Sequence, residues 1–336
     1  MAKLKSPKTY LLFDSANTFF RARHVVRGDD MATKTGLALH ICMNSVKKCW
    51  ERFKADHVIF CFEGRSWRKD VYAPYKANRK ESRDALTPAE QEADKIFWET
   101  FDEFKNFVTD KTNCTVLQHG QLEADDLIAG WTQAHPDDKH IIVSSDSDFY
   151  QLLNENISQY NGITDTHITD KGYFDEHGND IIDKKTKEPK APPDPAWLLF
   201  EKCIRGDSSD NVFSAFPKVR KTKMQEAFKD RNNQGFIWNN MMLSRWLDHH
   251  GKERIVKDEY AINQQLIDLT RQPDHIKEII FDTISVTTKS PKQVANVGIH
   301  MLKFCSRHDL VRIRDNVKFY AEPFNARLNQ DQTITA

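Results

Sequence analysis

Carboxylates are bunched in this chain in a way that points to a chemistry. Glu123-Ala124-Asp125-Asp126, Ser145-Asp146-Ser147-Asp148 and Gly206-Asp207-Ser208-Ser209-Asp210-Asn211 each crowd acids together beside apolar stretches that should be buried. Asp14 and Glu63 end two further apolar runs. Like charges this close repel, and loss of water makes the repulsion worse. A fold tolerates such a cluster only around something positive. An all-oxygen donor set suits hard divalent cations, Mg2+ or Mn2+. The acids Asp14, Glu63, Glu123, Asp125, Asp126, Asp146, Asp148, Asp207 and Asp210 exceed what one such ion can use, so two ions with some outlying acids is the simpler fit. Two ions about 4 Å apart suit in-line displacement at a phosphodiester, one activating water and the other stabilising the leaving oxygen. Any single Asp at a strand end reads better as a helix cap or turn residue. Their meeting at one edge does not.

The elements that must deliver those acids are legible in the apolar pattern. Residues 10–14, 57–63, 114–119 and 140–146 read as strands. Helical periods run over 37–53, through Leu39, Cys42, Val46, Cys49, Trp50 and Phe53, and over 123–135. Thr87-Pro88-Ala89-Glu90 is a capping box with proline at the first helical position, and Phe97, Phe101, Phe104 and Val108 follow on one face. Alternating helices and hydrophobic strands predict an α/β fold with a mostly parallel sheet covered on both faces. In such a sheet the acids share the carboxyl edge, where ligands bind. Glu123 and Asp126, like Asp207 and Asp210, have i,i+3 spacing.

The chain divides into an α/β core over 1–190, a mainly helical region over 191–325 and a polar, frayed tail over 326–336. The polar stretch 165–193 reads as a hairpin excursion or a mobile loop. With 336 residues, 39% hydrophobic and 29% charged, the chain reads as soluble and globular. No apolar run approaches the ~20 residues of a membrane helix, and the basic N-terminus leads into too short an apolar run for a signal peptide. Six scattered cysteines without a CxxC pair predict buried, reduced thiols in a cytoplasm.

The 49 basic and 49 acidic residues cancel, which by itself argues against a nucleic-acid partner. The distribution argues the other way. Arg65, Arg68, Lys69, Lys76, Arg79, Lys80 and Arg83 crowd one segment, and Lys218, Arg220, Lys221 and Lys223 another. Separate basic surfaces beside an acidic, metal-filled pocket can grip phosphates in a neutral protein. A solvated loop is the plain reading of the first segment. The interleaved Trp67, Tyr72 and Tyr75 favour stacking on unpaired bases instead.

Over about residues 10–225 the chain resembles the 5′-nuclease superfamily, which includes flap endonucleases, the 5′-nuclease domains of bacterial polymerases and the bacteriophage 5′–3′ exonucleases also called phage ribonuclease H. Tyr75-Lys76-Ala77-Asn78-Arg79, Glu123-Ala124-Asp125-Asp126, Ser145-Asp146-Ser147-Asp148-Phe149 and Gly206-Asp207-Ser208-Ser209-Asp210-Asn211 stand in that family's order, and the phage enzymes look closest. The resemblance implies a PIN-like core in which Asp14, Glu63, Glu123, Asp125, Asp146, Asp148, Asp207 and Asp210 hold two Mg2+ or Mn2+ directly or through water, with Asp126 an outlying member. It implies a helical arch (about 64–110), whose Lys76 and Arg79 are catalytic and contact the scissile phosphate while Tyr75 stacks on a base. Arg68, Lys69 and Lys80 are the arch's further nucleic-acid contacts. A helix–three-turn–helix (about 205–228) grips duplex. Two departures stand out. Glu63 replaces the usual Asp. The glycine-rich hairpin that elsewhere brings backbone amides and a K+ ion to the phosphate is replaced by residues 212–220, leaving Lys218, Arg220, Lys221 and Lys223 to make side-chain contacts.

The implied activity is metal-dependent 5′–3′ exonuclease or flap endonuclease cleavage of DNA, and of RNA primers in RNA–DNA hybrids during replication, leaving 5′-phosphates. The implied setting is a cytoplasm (a host's, if phage-encoded), with the protein a monomer. A single-strand-binding protein or sliding clamp suits the role as partner, though no residue compels either. The rival readings are a PIN-like ribonuclease on single-stranded RNA, which the basic–aromatic segment and the helical half disfavour, and a non-catalytic nucleic-acid-binding protein, which the complete acid set disfavours.

Overall fold

The structure, a computed structural model, describes residues 6–25 and 31–328. Its core is a seven-stranded sheet in the order β3-β2-β1-β4-β5-β6-β7. The strands are β1 (Thr9–Asp14), β2 (His57–Cys61), β3 (Thr115–Leu117), β4 (Lys139–Val143), β5 (Ile157–Asn161), β6 (Thr166–Thr169) and β7 (Gly172–Phe174). β1 to β5 pair in parallel. β6 and β7 add an antiparallel edge, so the 165–193 excursion is a hairpin continuing the main sheet. β5 escaped the sequence reading because its Ser158, Gln159 and Asn161 dilute the apolar signal. Gln159 is fully buried, and its amide donates to the backbone oxygens of Ser144 (2.9 Å) and Asp146 (2.7 Å).

Successive side chains of a strand point to opposite faces, and both faces of this sheet are covered. Leu11, Phe13, Val58 and Phe60 meet helices α1 (Ser15–Val25), α2 (Met31–Phe53) and, beyond the short α3 (Arg68–Val71) and α4 (Asn78–Asp84), α5 (Pro88–Lys111). Tyr10, Leu12, Ile59 and Cys61 meet α6 (Ala124–Ala134) on the other face. The capping box forms as the sequence predicts: Glu90 N donates to Thr87 Oγ1 (3.3 Å) and Thr87 N to Glu90 Oε2 (2.8 Å). Phe97, Phe101, Phe104 and Val108 are buried in one stripe, joined by Phe107.

The segment read as one helical region, 191–325, divides in packing. Helices α7 (Pro195–Arg205), α8 (Lys221–Asp230), α9 (Phe236–Met242) and α10 (Val256–Ile267) build a lobe around Phe200, Ile204, Met224, Met241 and Val256. A small hairpin, β8 (Arg245–Leu247) with β9 (Glu253–Ile255), joins it. The later helices belong to the sheet. α11 (Asp274–Lys289) lies on α6, closely enough that a Cβ at Gly130 would fall 2.2 Å from Ile280. α12 (Val297–Arg307), α13 (Val311–Asp315) and α14 (Val317–Asn325) close the opposite core through Met301, Ile313 and Phe324. Leu328, assigned to the frayed tail by its sequence context, is buried in the α6 core, and residues 329–336 of that tail lie outside the described residues. All six cysteines are buried and none forms a disulfide. Among the described residues no helix is long and apolar enough to cross a membrane.

Candidate metal centre

Strand order reverses at β1. From there the chain runs outward to β2 and β3, then returns to place β4 on the other side of β1. Such a reversal opens a crevice at the carboxyl ends of the two strands. Asp14 ends β1 there, 5% exposed, accepting from Ser144 Oγ (2.9 Å) and Asn17 N (3.2 Å). Asn17 Oδ1 in turn accepts from Ser145 N (3.1 Å), tying α1 to the exit of β4. Asp146 caps the 3-10 turn Ser147–Leu152, accepting from Asp148 N (2.9 Å). Glu63 lies just past β2 and accepts from Ala124 N (3.3 Å) at the start of α6, beside Asp125. The chain makes this approach only through Gly64, where a Cβ would lie 2.0 Å from His119 O.

Asp14, Glu63, Asp125 and Asp146 have no ion-pair partner among the described residues. Burial first, then Asp146, pushes the Asp14 carboxyl up to about 6 against the pull of its hydrogen bonds. Loss of solvation, followed by Glu123, raises Glu63 to about 7, although its side chain is open to water on one side. Asp125 rises well above the carboxylate range through burial, then Asp14 and Glu63.

The remaining acids carry their own cations. Glu123, at the N-cap of α6, receives Ser66 Oγ (2.8 Å), Arg68 Nη1 (2.8 Å) and the Lys76 ammonium. Burial works against its charge, yet Lys76 and Arg68 hold its carboxyl down at about 2. Asp210 meets Arg79 Nη2 (2.8 Å) and Lys76 Nζ (3.6 Å), and the Tyr75 hydroxyl sits 2.9 Å from both Glu123 and Asp210. Lys202 on α7 stands between Asp148 and Asp207, 2.8 Å from the latter. Burial and Asp146 still raise Asp148 to about 6, whereas Asp207, despite burial, is lowered by its Lys202 hydrogen bond. Asp207 and Asp210 reach the crevice because Gly206 (φ 75°) ends α7 and lets Asp207 and Val212 pair through two backbone hydrogen bonds (2.9 and 2.7 Å). A small cavity of ≈ 20 Å³ lies among Asp125, Asp148, Asp207 and Asp210.

Among the described residues no three acids are drawn together into a finished ion cage. The ammoniums of Lys76 and Lys202 stand between the carboxylates instead. The donor set is all oxygen, four acids have no ion pair among the described residues, and positive groups lodge among the rest. These residues fit hard divalent cations.

Three expectations need correction. Arg68 is 1% exposed and cannot reach a phosphate: it grips Asp126 with both Nη1 (2.9 Å) and Nη2 (2.8 Å), and its Nε donates to Leu266 O (2.7 Å). Asp126, fully buried, is occupied by Arg68, Trp67 Nε1 (3.2 Å) and its own helix cap, so it serves as the arginine's anchor and not as a metal ligand. Tyr75 and Trp67, at 4% and 3% exposed, point inward, and neither offers a ring face to a base. Their apolar bulk outweighed the pull of the surrounding cations toward water. Lys69, Arg79, Lys80, Lys218, Arg220, Lys221 and Lys223 are exposed. α4, which carries Arg79 and Lys80, has no buried residue. Lys76 adopts a left-handed backbone (φ 53°) and donates its N–H to Asp210 O (2.8 Å), fixing the base of this segment to the loop after α7.

The sequence reading missed Lys202, Ser144, Asn17 and Gln159. Lys202 had a signal, standing five residues before Asp207 on a helix that ends at the acidic loop. The others are small polar residues with no pattern to mark them.

The fold and crevice define an α/β protein with an acidic switch point beside an exposed basic helix. The chain belongs to the 5′–3′ exonuclease family: residues 9–179 match the family's N-terminal resolvase-like domain. It is similar to a flap endonuclease Xni of Psychromonas ingrahamii, 34% identical over 162 residues (45% of this chain, 56% of that protein). It is 27% identical over 229 residues to a DNA polymerase I of Rhizobium leguminosarum, covering 63% of this chain and 20% of the polymerase. An Xni of Pseudoalteromonas translucida matches at 26% over 272 residues, 77% of this chain and 92% of that one. The chain thus spans from a fifth to about half of the first relatives it matches. Solved structures share the fold: bacteriophage T5 5′-exonuclease with divalent zinc bound (TM-score 0.58, 19% identity) and a T5 flap endonuclease complex with DNA and metal ions (TM-score 0.57, 17% identity). Each alignment covers 94% of this chain and 100% of the other.

Proposed function

We propose that this protein is a divalent-metal-dependent 5′-nuclease that cleaves DNA at 5′ ends or flaps, and RNA primers paired to DNA, leaving 5′-phosphate and 3′-hydroxyl ends. The observation that carries the reading is the set of four acids without an ion pair, Asp14, Glu63, Asp125 and Asp146, at the switch point, with Lys76 and Arg79 beside it. Membership in the 5′–3′ exonuclease family supports it, as do the flap endonuclease relatives and the DNA and metal ions bound by the T5 proteins.

Asp14, Glu63, Asp125 and Asp146 together with Glu123, Asp148, Asp207 and Asp210 would hold two Mg2+ or Mn2+ ions, which would supply water activation and stabilisation of the leaving oxygen. The side chains do the rest. Lys76, lodged between Glu123 and Asp210, and Arg79, on the exposed α4, present positive charge to the scissile phosphate. Lys69 and Lys80 extend that surface. Lys218, Arg220, Lys221 and Lys223 gather at the start of α8, where helix amides and ammoniums together suit a duplex backbone. No side-chain nucleophile is required.

End-labelled flap, nicked and primer–template substrates test this, with and without Mg2+. Asp146→Asn is expected to slow single-turnover cleavage by more than about 10³-fold while leaving DNA binding intact, because an acid beside phosphates hinders binding. Wild-type cleavage by that variant refutes the assignment.

A further inference from the structure

Lys202 has no place in the proposed chemistry, yet it occupies the centre. It sits in the last turn of α7, followed by the buried Cys203 and Ile204, which anchor its backbone. Its Nζ lies 2.8 Å from Asp207 and also contacts Asp148, so one ammonium bridges two carboxylates from segments far apart in the chain. Neither Asp14, Glu63, Asp125 nor Asp146 has such a partner among the described residues. The Lys202 side chain is 27% exposed, so its flexible four-carbon stem has a way out to water.

We propose that Lys202 is a built-in rival of the divalent cation at the Asp148–Asp207 position. A cation approaching Asp14, Asp125 and Asp146 meets bare carboxylates. One approaching Asp148 and Asp207 must first displace an ammonium that already satisfies both. The two positions therefore fill in order, the Asp14 side first, and Lys202 sets the affinity of the second. The inference rests on the metal-centre reading above, and the experiment separates the two.

Mn2+ is titrated calorimetrically into the full chain without DNA. Wild type is expected to show a tight and a weak class of site. Lys202→Met, which keeps the stem and removes the charge, leaves the tight class unchanged and tightens the weak class about tenfold or more, the worth of one displaced charge-assisted bond. Lys202→Gln behaves alike and serves if the methionine variant fails to fold. Lys202→Arg keeps the charge and leaves the weak class weak. Thermal melts add a second readout: Lys202→Met melts below wild type in EDTA, because two part-buried acids lose their counter-ion, and recovers more than wild type when Mn2+ is added. A weak class unchanged or loosened in folded Lys202→Met and Lys202→Gln overturns the rivalry while leaving the metal centre standing. Absence of Mn2+ binding by wild type and by both variants overturns the metal centre itself.

Discussion

The two halves of the acidic crevice solve the same electrostatic problem differently. Around Asp14, Glu63, Asp125 and Asp146 the charge is bare, and Asp14, Glu63 and Asp125 hold raised carboxyls at about 6, about 7 and well above the usual range. Around Glu123, Asp148, Asp207 and Asp210 the fold supplies Arg68, Lys76, Arg79 and Lys202, and Glu123 sits at about 2. Loss of solvation raises carboxyls in both halves, Asp148 included at about 6, but the direct ion pairs are confined to the second. Buried acids without an ion pair cost stability, a common trade at functional sites. Compensated acids tie the segment that carries Arg68, Lys76 and Arg79 to α6 and to the loop after α7.

The largest test of this contrast is Arg68→Ala. It leaves Glu123 and Asp126 buried without their guanidinium, and a loss of about 3–5 kcal/mol in urea unfolding is expected. Near-wild-type stability would move Glu123 into the bare half.

Asp14→Asn is expected to act with the opposite sign. A carboxyl raised to about 6, from 3.8, favours the folded state when protonated. Wild-type protein in EDTA therefore gains on the order of 3 kcal/mol from this group as pH falls from 7 through 6 toward 4, and loses it as pH rises. The asparagine variant lacks that gain and is the more stable of the two at pH 7. Buried His57 and His140, held at about 3 and about 4 by loss of solvation, oppose the trend. They stay neutral in the fold while the unfolded chain takes up protons, so stability falls as pH drops below about 6.5. The comparison must therefore be a difference between variants across pH 7, 6 and 5. A pH-independent difference would remove Asp14 from the bare set.

Lys76→Ala probes the seam between the halves. It is expected to slow single-turnover flap cleavage by roughly 10²-fold with little change in DNA affinity. An unchanged rate makes Lys76 a counter-ion only. The smallest effect lies outside both halves: Lys221→Ala should weaken duplex binding a few-fold and reduce the salt slope by about 1.

The sheet and the acid set were legible because both rest on strong local signals. Apolar runs ending in Asp14, Glu63 and Asp146 give strand and carboxylate together, and a parallel sheet has only one carboxyl edge. The failures share a cause. Arg68, Tyr75 and Trp67 were read as outward-facing from their basic context, but Asp126 draws Arg68 and Trp67 in, and Glu123 and Asp210 hold the Tyr75 hydroxyl. Those partners lie far along the chain, as do Leu266 and Gln272, which complete the knot. β5 hid behind polar residues whose buried member, Gln159, bonds backbone instead of packing. Lys202 looked like one more surface lysine.

Helices α11 to α14 begin at Asp274, whereas the last parallel strand, β5, ends at Asn161. During translation the sheet, backed by α2 and α5 on one face and α6 on the other, therefore lacks its outer helices while more than a hundred further residues are added. Its Phe and Ile surfaces must be shielded in the interim, since an unfinished parallel sheet is prone to misassociate. Truncation before residue 274 is expected to yield an insoluble polypeptide in place of a smaller working enzyme.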